Sequence, residues 1–152
     1  MENIIEKNDD EFKELYQALV LEHSKKPKNF GKLASPFFSF GKNPSCGDQI
    51  TLYLDIQNNI VTDIKFEGHG CALCLSSTSL LTQKIKGKTI DEISDIVYSF
   101  NQFIKNNKEL PISLEPLHIY KNIHQFPLRV KCVLLGWKAL EKILENYHGN
   151  HI

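Results

Sequence analysis

The sequence predicts an α+β fold, in which a small antiparallel β-sheet packs one face against helices. Apolar and polar residues alternate with a period of two from Ile50 to Ile56 and again from Ile60 to Phe66. Asn58-Asn59 supplies turn chemistry between the two runs, so they are expected to form a hairpin with one apolar face. After Cys71 the spacing changes to that of helices, and strands followed by helices are typical of this fold class.

Four segments carry apolar residues at helical spacing. The first is expected to have Asp9 or Asp10 as its N-cap and to end before Pro27. Its apolar positions are Phe12, Leu15, Tyr16, Leu19 and Val20. The segment from Asn29 to Phe40 mixes Gly, Ser and Pro with phenylalanines, which indicates an irregular or edge-strand connection.

Three further helices follow the hairpin. One runs from Cys71 to Lys86 and has Gly87 as its C-cap, and the next starts at Thr89, which forms a capping-box pattern with Glu92. The last starts near Pro127. The apolar stripes of the last two are Ile93, Ile96, Val97, Phe100 and Ile104, and Val133, Trp137, Leu140 and Leu144.

Prolines limit regular structure between Asn106 and Phe126, which we interpret as an insertion made of short pieces. Its apolar residues are too numerous for a free loop, so we expect part of it to pack over the core or against a partner. They are Leu110, Ile112, Leu114, Leu117, Ile119 and Ile123.

Length and composition favour one compact domain over residues 1–152, since 41% of the residues are hydrophobic and 24% are charged. Eighteen basic and eighteen acidic residues give a formal net charge of zero, which argues against nucleic-acid binding. The acidic start of the chain is unlike a signal peptide, and no apolar run reaches membrane-spanning length. We therefore expect a cytoplasmic protein whose four cysteines stay reduced and serve metal or sulfur chemistry.

The stretch from Gly41 to Asp48 places a thiol and a carboxylate two residues apart, with a proline before them and a glycine between them. Cys71 follows Cys46 by 25 residues, and Cys132 follows by a further 61. Three thiols and the Asp48 carboxylate would make a four-ligand site, a set that suits zinc. Permanent iron–sulfur clusters usually have four cysteine ligands, so the carboxylate would make a cluster easier to release.

Metal binding and attack on sulfur both require the thiolate form of cysteine. Cys71 opens a helix, and a helix N-terminus favours a negative charge. Cys132 lies beside Arg129 and Lys131, whose positive charges are expected to favour its thiolate.

Three separated blocks carry a family resemblance. They are Gly-Lys-Asn-Pro-Ser-Cys-Gly-Asp at 41–48, Phe-Glu-Gly-His-Gly-Cys-Ala-Leu at 66–73 and Arg-Val-Lys-Cys-Val-Leu-Leu-Gly-Trp-Lys-Ala-Leu at 129–140. Together with Leu15-Tyr16 and the segment from Leu21 to Gly31, they resemble the iron–sulfur cluster assembly scaffold family, which includes NifU N-terminal and IscU-like domains. The resemblance extends over nearly the whole chain and implies the fold of that family.

Within this family the chain resembles the SufU type more than the IscU type. Lys131 stands directly before Cys132, where the IscU type carries a histidine. The insertion from Asn106 to Phe126 also lengthens the spacing to that cysteine, which is similar to the SufU type.

The resemblance implies that Cys46, Asp48, Cys71 and Cys132 bind Zn²⁺ and that Cys46 accepts persulfide sulfur from a SufS-like cysteine desulfurase. The protein would then be a zinc-dependent sulfurtransferase. The same cysteines would also serve a scaffold that holds a transient iron–sulfur cluster, with a downstream scaffold or apo-proteins as acceptors. Arg129 and Lys131 match basic positions of the SufU type and are expected to screen the site or contact the partner.

Two residues depart from the family pattern. Cys74 stands where members commonly have a serine or another small residue, and we interpret it as a small buried hydrophobe. His69 lies between two glycines and is interpreted as a solvated loop residue rather than an extra ligand.

Two other functions stay open. The Cys71-Ala72-Leu73-Cys74 segment, which follows a strand and opens a helix, is also the local layout of a dithiol oxidoreductase. That fold needs a parallel unit, and it would leave Cys46 and Cys132 without a role. A structural zinc module is the second, although such sites usually take ligands from close Cys-x-x-Cys knuckles.

Overall fold

A computed structural model describes the backbone of residues 2–150 and the side chains of residues 13–148. The elements in chain order are α1 (Glu2–Lys25), β1 (Phe37–Asn43), β2 (Asp48–Gln57), β3 (Ile60–His69), α2 (Ala72–Ile85), α3 (Ile90–Asn106), three short 3₁₀ helices (Ile112–Leu114, Leu117–Tyr120 and Ile123–Gln125) and α4 (Pro127–Asn150). The predicted α+β fold is confirmed, with the helices on the apolar face of the sheet.

The sheet has the order β1-β2-β3, and both pairs of neighbouring strands are antiparallel. The predicted hairpin of β2 and β3 is confirmed. The segment from Asn29 to Phe40 was predicted to be either irregular or an edge strand. It forms the edge strand β1 from Phe37 onward, and this strand continues to Asn43. The pairing of Asn43 with Asp48 brings the first sequence motif to the end of the sheet.

The alternation predicted for β3 is wrong at its start. Ile60 is 38% exposed, and Val61 is buried instead. The register between β2 and β3 shifts near Asp55 and Ile56, so that Asp55 pairs with Asp63 and Ile56 with Val61. The extra residue, Thr62, reverses which side chains face the core.

Helix α2 is buried on nearly all sides, although its middle is polar. Four consecutive residues have no exposed surface: Ser76, Ser77, Thr78 and Ser79. The Ser77 hydroxyl donates to the Val133 carbonyl oxygen at 2.7 Å and accepts from Trp137 Nε1 at 3.0 Å. The small side chains of α2 and Gly136 of α4 let the two helices approach closely. A methyl group at Gly136 would overlap the Thr78 side chain.

The first helix begins earlier than expected. It starts at Glu2, so neither Asp9 nor Asp10 is its N-cap. The Phe12 side chain lies outside the described residues. Leu15, which was predicted to face the core, is 55% exposed. The face of α1 that packs against the core carries Tyr16, Leu19, Val20 and His23, and Leu15 lies outside it.

The remaining helices start within one residue of the predicted positions, but α2 ends at Ile85 and its C-cap is Lys86 rather than Gly87. The capping box of Thr89 and Glu92 is present, Gly87 follows α2 with a φ of +84°, and α4 starts at Pro127. The segment from Asn106 to Phe126 forms the 3₁₀ helices, and most of its apolar side chains are buried over the core. Ile112 and Phe126 are the exceptions, at 81% and 45% exposed. No helix among the described residues has the length and apolar character that would let it span a membrane.

Ser77→Ala should lower the free energy of unfolding by about 1–3 kcal/mol, because the buried indole N–H of Trp137 would lose its acceptor. Urea denaturation followed by circular dichroism measures this change. Ser94→Ala is the control in α3, where alanine favours a helix, and it should change stability by less than about 0.5 kcal/mol. Equal losses in the two variants would contradict the role of the buried network.

Candidate metal centre

Cys46 lies in the short turn that joins β1 to β2. The Asn43 side chain accepts a hydrogen bond from the Ser45 N–H at 3.3 Å, and the Asn43 carbonyl accepts from the Cys46 N–H at 3.2 Å. Gly47 has a φ of +71°, a left-handed conformation that glycine adopts without strain. The turn is therefore closed locally, and it leaves the Cys46 side chain exposed.

Asp48 is the first residue of β2 and is fully buried. Its Oδ1 accepts a hydrogen bond from the Cys71 N–H at 2.8 Å, and its Oδ2 lies 3.6 Å from Cys71 Sγ. A methyl group at Gly70 would come within 2.7 Å of Asp48 Oδ1. The glycine before Cys71 thus leaves the space that the carboxylate occupies.

Cys71 is the N-cap residue of α2, with extended backbone angles of φ −69° and ψ 165°. Its side chain is half-buried. The position of α2 therefore decides where this thiol lies relative to Asp48.

Cys132 is buried and reaches the same point from the second turn of α4. Its Sγ lies 3.1 Å from Cys46 Sγ. The ligand atoms of Cys46, Asp48 and Cys132 all lie within 4.8 Å of one another, and Cys71 joins them through its contact with Asp48. The structure thus brings together all four residues that the sequence singled out.

Burial raises the pKa of Cys132, and the neighbouring Cys46 and Cys71 thiols raise it further. The expectation that flanking cations favour its thiolate is therefore wrong for the metal-free side chain. Arg129 places its guanidinium carbon 4.7 Å from the Phe126 ring centre, and Lys131 is exposed. A bound metal ion would reverse the balance, because coordination to a cation deprotonates a thiol.

Of the two departures from the family pattern, Cys74 is buried as predicted, whereas His69 is exposed as predicted but lies in β3 rather than in a loop. Cys74 is fully buried, and burial raises its pKa, so its interpretation as a buried hydrophobe is confirmed. His69 ends β3 and is exposed. A dithiol oxidoreductase is not favoured, because an inaccessible Cys74 cannot exchange with a substrate and the named strands are all antiparallel.

Sequence reasoning missed Asn43. This residue is buried, and its Nδ2 donates toward Cys132 Sγ at 3.7 Å while its Oδ1 holds the turn. The role of Asn43 in the turn could have been predicted from the sequence, since an asparagine side chain often bonds to the backbone two residues further on. Its contact with Cys132 spans 89 residues and could not be read from the sequence.

A family model described as the NifU-like N-terminal domain matches residues 15–111, which include Cys46, Asp48 and Cys71. The chain belongs to this family. Cys132 lies beyond the matched segment, and the relatives described next extend the likeness over most of the chain.

The chain is 36% identical over 138 residues to the zinc-dependent sulfurtransferase SufU of Bacillus subtilis strain 168, covering 90% of this chain and 94% of that one. It is 35% identical over 135 residues to the iron–sulfur cluster assembly scaffold protein IscU of Thermotoga maritima, with 88% and 95% covered. A crystal structure of an iron–sulfur cluster assembly scaffold for the SUF system, from Fervidobacterium islandicum AW-1, superimposes with a TM-score of 0.77. That pair is 36% identical, and the match covers 83% of this chain and 93% of the other.

The donor set of this NifU-like domain fits zinc. Thiolates with one carboxylate form a usual tetrahedral set, whose donors lie about 3 to 4 Å apart at the known Zn–S and Zn–O distances. Asp48 is fully buried, and among the described side chains no Lys or Arg forms a salt bridge with it. A buried carboxylate needs a compensating charge, which a metal ion would provide.

Alkylation of the metal-free protein should label the four cysteines at very different rates. Cys46 is exposed and should react first, whereas Cys74 is fully buried with a raised pKa and should react only on unfolding. Mass spectrometry of iodoacetamide-treated peptides at pH 8 measures the order. Labelling of Cys74 as fast as Cys46 would contradict the burial described here.

Gly70→Ala should weaken zinc binding by about tenfold or more, because the added methyl group displaces the Asp48 carboxylate. Competition with a chromogenic chelator measures the affinity. Gly87→Ala is the matched control, since it strains a positive φ of +84° with nothing within 4 Å of the new methyl group. If both variants bound zinc like the unchanged protein, Asp48 would not be a ligand held in place by this glycine.

Proposed function

We propose that the protein is a zinc-dependent sulfurtransferase of iron–sulfur cluster assembly, which accepts sulfur on Cys46 from a SufS-like cysteine desulfurase. The observation that carries the proposal is an asymmetry among the ligands. Cys46 is exposed in its turn, whereas Asp48 and Cys132 are buried and Cys71 caps α2. The likeness to the SufU of Bacillus subtilis supports the same activity.

In this proposal Cys46, Asp48, Cys71 and Cys132 hold one Zn²⁺. The ion would supply positive charge that keeps these thiols deprotonated near neutral pH. The protein supplies the positions: Asn43 orients the turn and Cys132, and the Cys71 N–H orients the carboxylate.

The transfer itself is a thiol–persulfide exchange. The Cys46 thiolate attacks the terminal sulfur of the donor's cysteine persulfide, so that a new bond forms between Cys46 Sγ and that sulfur. The sulfur–sulfur bond of the donor breaks, its cysteine leaves as a thiolate, and the transferred sulfur keeps its proton. No external oxidant or reductant is needed, because the sulfane sulfur only changes its partner.

Exposure decides which of the three thiols reacts. The donor cysteine must approach in line with the bond that breaks, and only an exposed sulfur allows this approach. Cys132 is buried and Cys71 half-buried, so they and Asp48 stay in place while Cys46 carries the added sulfur. All four cysteines of the chain are free thiols, and we place the protein in the cytoplasm, where thiols stay reduced.

A second candidate function is scaffolding. The same three cysteines and Asp48 suit a transient iron–sulfur cluster, which would be cargo for a downstream scaffold or an apo-protein. The likeness to the IscU of Thermotoga maritima favours this alternative, as does the single carboxylate ligand, which holds a cluster less firmly than a fourth thiolate.

The test combines metal content with sulfur transfer. We expect about one zinc per purified chain. We also expect a Cys46 persulfide after incubation with the desulfurase and cysteine, detected by mass spectrometry, and loss of that persulfide on chelation. Cys46→Ala should abolish both the persulfide and the stimulation of the desulfurase, whereas Cys74→Ala, the control at a cysteine outside the site, should retain them.

Sulfur acceptance would be refuted if Cys46→Ala still stimulated the desulfurase as the unchanged protein does. A protein that holds no zinc, yet assembles a labile cluster on these cysteines and passes it to an apo-protein, would be a scaffold instead.

A further inference from the structure

A cavity of about 330 Å³ opens between α1, the last 3₁₀ helix and the start of α4. Three cations line it, Lys13, Lys121 and Arg129, together with the rings of Tyr16 and Phe126. Among the described side chains, those of residues 13–148, no acidic residue lines it and none of these cations forms a salt bridge. Since the formal net charge of the whole chain is zero, the positive charge is a local excess.

The end of a helix adds to this positive field. Helix α4 begins at Pro127, next to the cavity residues Phe126 and Arg129, and has no acidic residue in its first turn. A helix N-terminus carries a partial positive charge that acidic side chains commonly compensate. Here the first turn of α4 has no acidic residue, and no described acidic side chain forms a salt bridge with any of the three cations.

The cavity adjoins the metal centre. Arg129 precedes Cys132 by one helical turn, about 4.5 Å along the axis. Tyr16 lines the cavity, and its pKa is raised by burial, lowered by the charge of Arg129 and raised by the Cys71 thiol. A molecule bound in the cavity would therefore contact Arg129, one turn before Cys132, whose Sγ lies 3.1 Å from Cys46 Sγ.

The wall of the cavity is both charged and apolar. Phe126 is 45% exposed, and its ring holds the Arg129 guanidinium in a cation–π contact at 4.7 Å. The Tyr16 ring packs edge-on against Tyr120 with ring centres 6.3 Å apart, which fixes it in the wall. A free small anion would use the cations but leave these rings uncovered, whereas an acidic peptide segment covers both.

We propose that this cavity docks an acidic segment of the sulfur donor, the cysteine desulfurase, with a carboxylate among the three cations and an apolar side chain against Tyr16 and Phe126. The proposal rests on the proposed function, because the donor is the protein that must bring its persulfide to Cys46. Opposite charges steer such an encounter and set its orientation.

The test uses the full chain with charge reversals that avoid the metal ligands. Lys13→Glu combined with Lys121→Glu removes two of the cations and leaves Arg129, which is close to Cys132, unchanged. The matched control is Lys138→Glu with Lys142→Glu, which changes the net charge equally on exposed positions about 14 and 20 Å along α4 from Arg129. Biolayer interferometry measures desulfurase affinity from low to high salt, with zinc content and Cys46 persulfide formation at saturating desulfurase as parallel readouts.

We expect the cavity variant to bind the desulfurase at least about tenfold more weakly at low salt and to lose most of the salt dependence, whereas the control stays within about twofold of the unchanged protein. Zinc content and the final persulfide yield should be unchanged. Affinity equal to that of the control would overturn the docking site while leaving the proposed function intact.

Two other results would also count against the assignment. If sulfur acceptance matched the control and only delivery to an apo-protein slowed, the occupant would be an acceptor rather than the donor. If the unchanged protein neither bound the desulfurase nor accepted its sulfur, the proposed function itself would fail, and with it the named partner.

Discussion

Helix α2 buries four consecutive hydroxyl side chains, Ser76 to Ser79, in the middle of the molecule. A buried hydroxyl without a partner costs about 1–3 kcal/mol, so each one restricts where its neighbours can lie. The partners come from distant segments: Ser76 pairs with Tyr120 of the insertion at 2.6 Å, and Ser79 pairs with His23 of α1 at 2.7 Å. Burial lowers the pKa of His23, which keeps its ring neutral near pH 7 and able to share one proton with the serine. The hydroxyls therefore fix α1, the insertion and α4 relative to α2.

The geometry of the candidate metal centre depends on this packing. Cys71 is placed because it caps α2, and Cys132 is placed because Gly136, one turn further along α4, meets Thr78 at close range. Asp48 belongs to β2, and the register between β1 and β2 pairs it with Asn43. Its carboxylate accepts a hydrogen bond from the Cys71 N–H. Only Cys46 depends on a local turn. Three of the four side chains thus belong to rigid elements, and the fourth belongs to a short loop at the surface.

The parts that the sequence could predict are those with a local cause. The hairpin follows from alternation and Asn58-Asn59, and the capping box at Thr89 follows from residue types three positions apart. The run from Ser76 to Ser79 is polar and looks like surface, because its burial depends on partners up to 60 residues away. The burial of Val61 in place of Ile60 follows from the pairing register between β2 and β3, which the sequence does not show. The cations of the cavity come from α1, the insertion and α4 and share no motif. The sequence motifs and the family resemblance pointed to Cys46, Asp48, Cys71 and Cys132, whereas the roles of Asn43 and Gly70 appear only in the tertiary contacts.

The difference in burial among the candidate ligands bears on which thiol would accept the transferred sulfur. The Cys46 and Cys132 thiols lie together with Asp48, and the Cys71 thiol contacts that carboxylate. A persulfide donor would react with any of the three thiols on chemical grounds alone. Cys132 is buried and Cys71 is half-buried, so Cys46 is the most accessible of the three sulfurs, which is why we propose it as the acceptor. A carboxylate in the fourth position removes a further competitor, since Asp48 cannot form a persulfide. In the proposed transfer the cationic cavity would need only to orient the donor, because the difference in burial among the three thiols would select the acceptor atom.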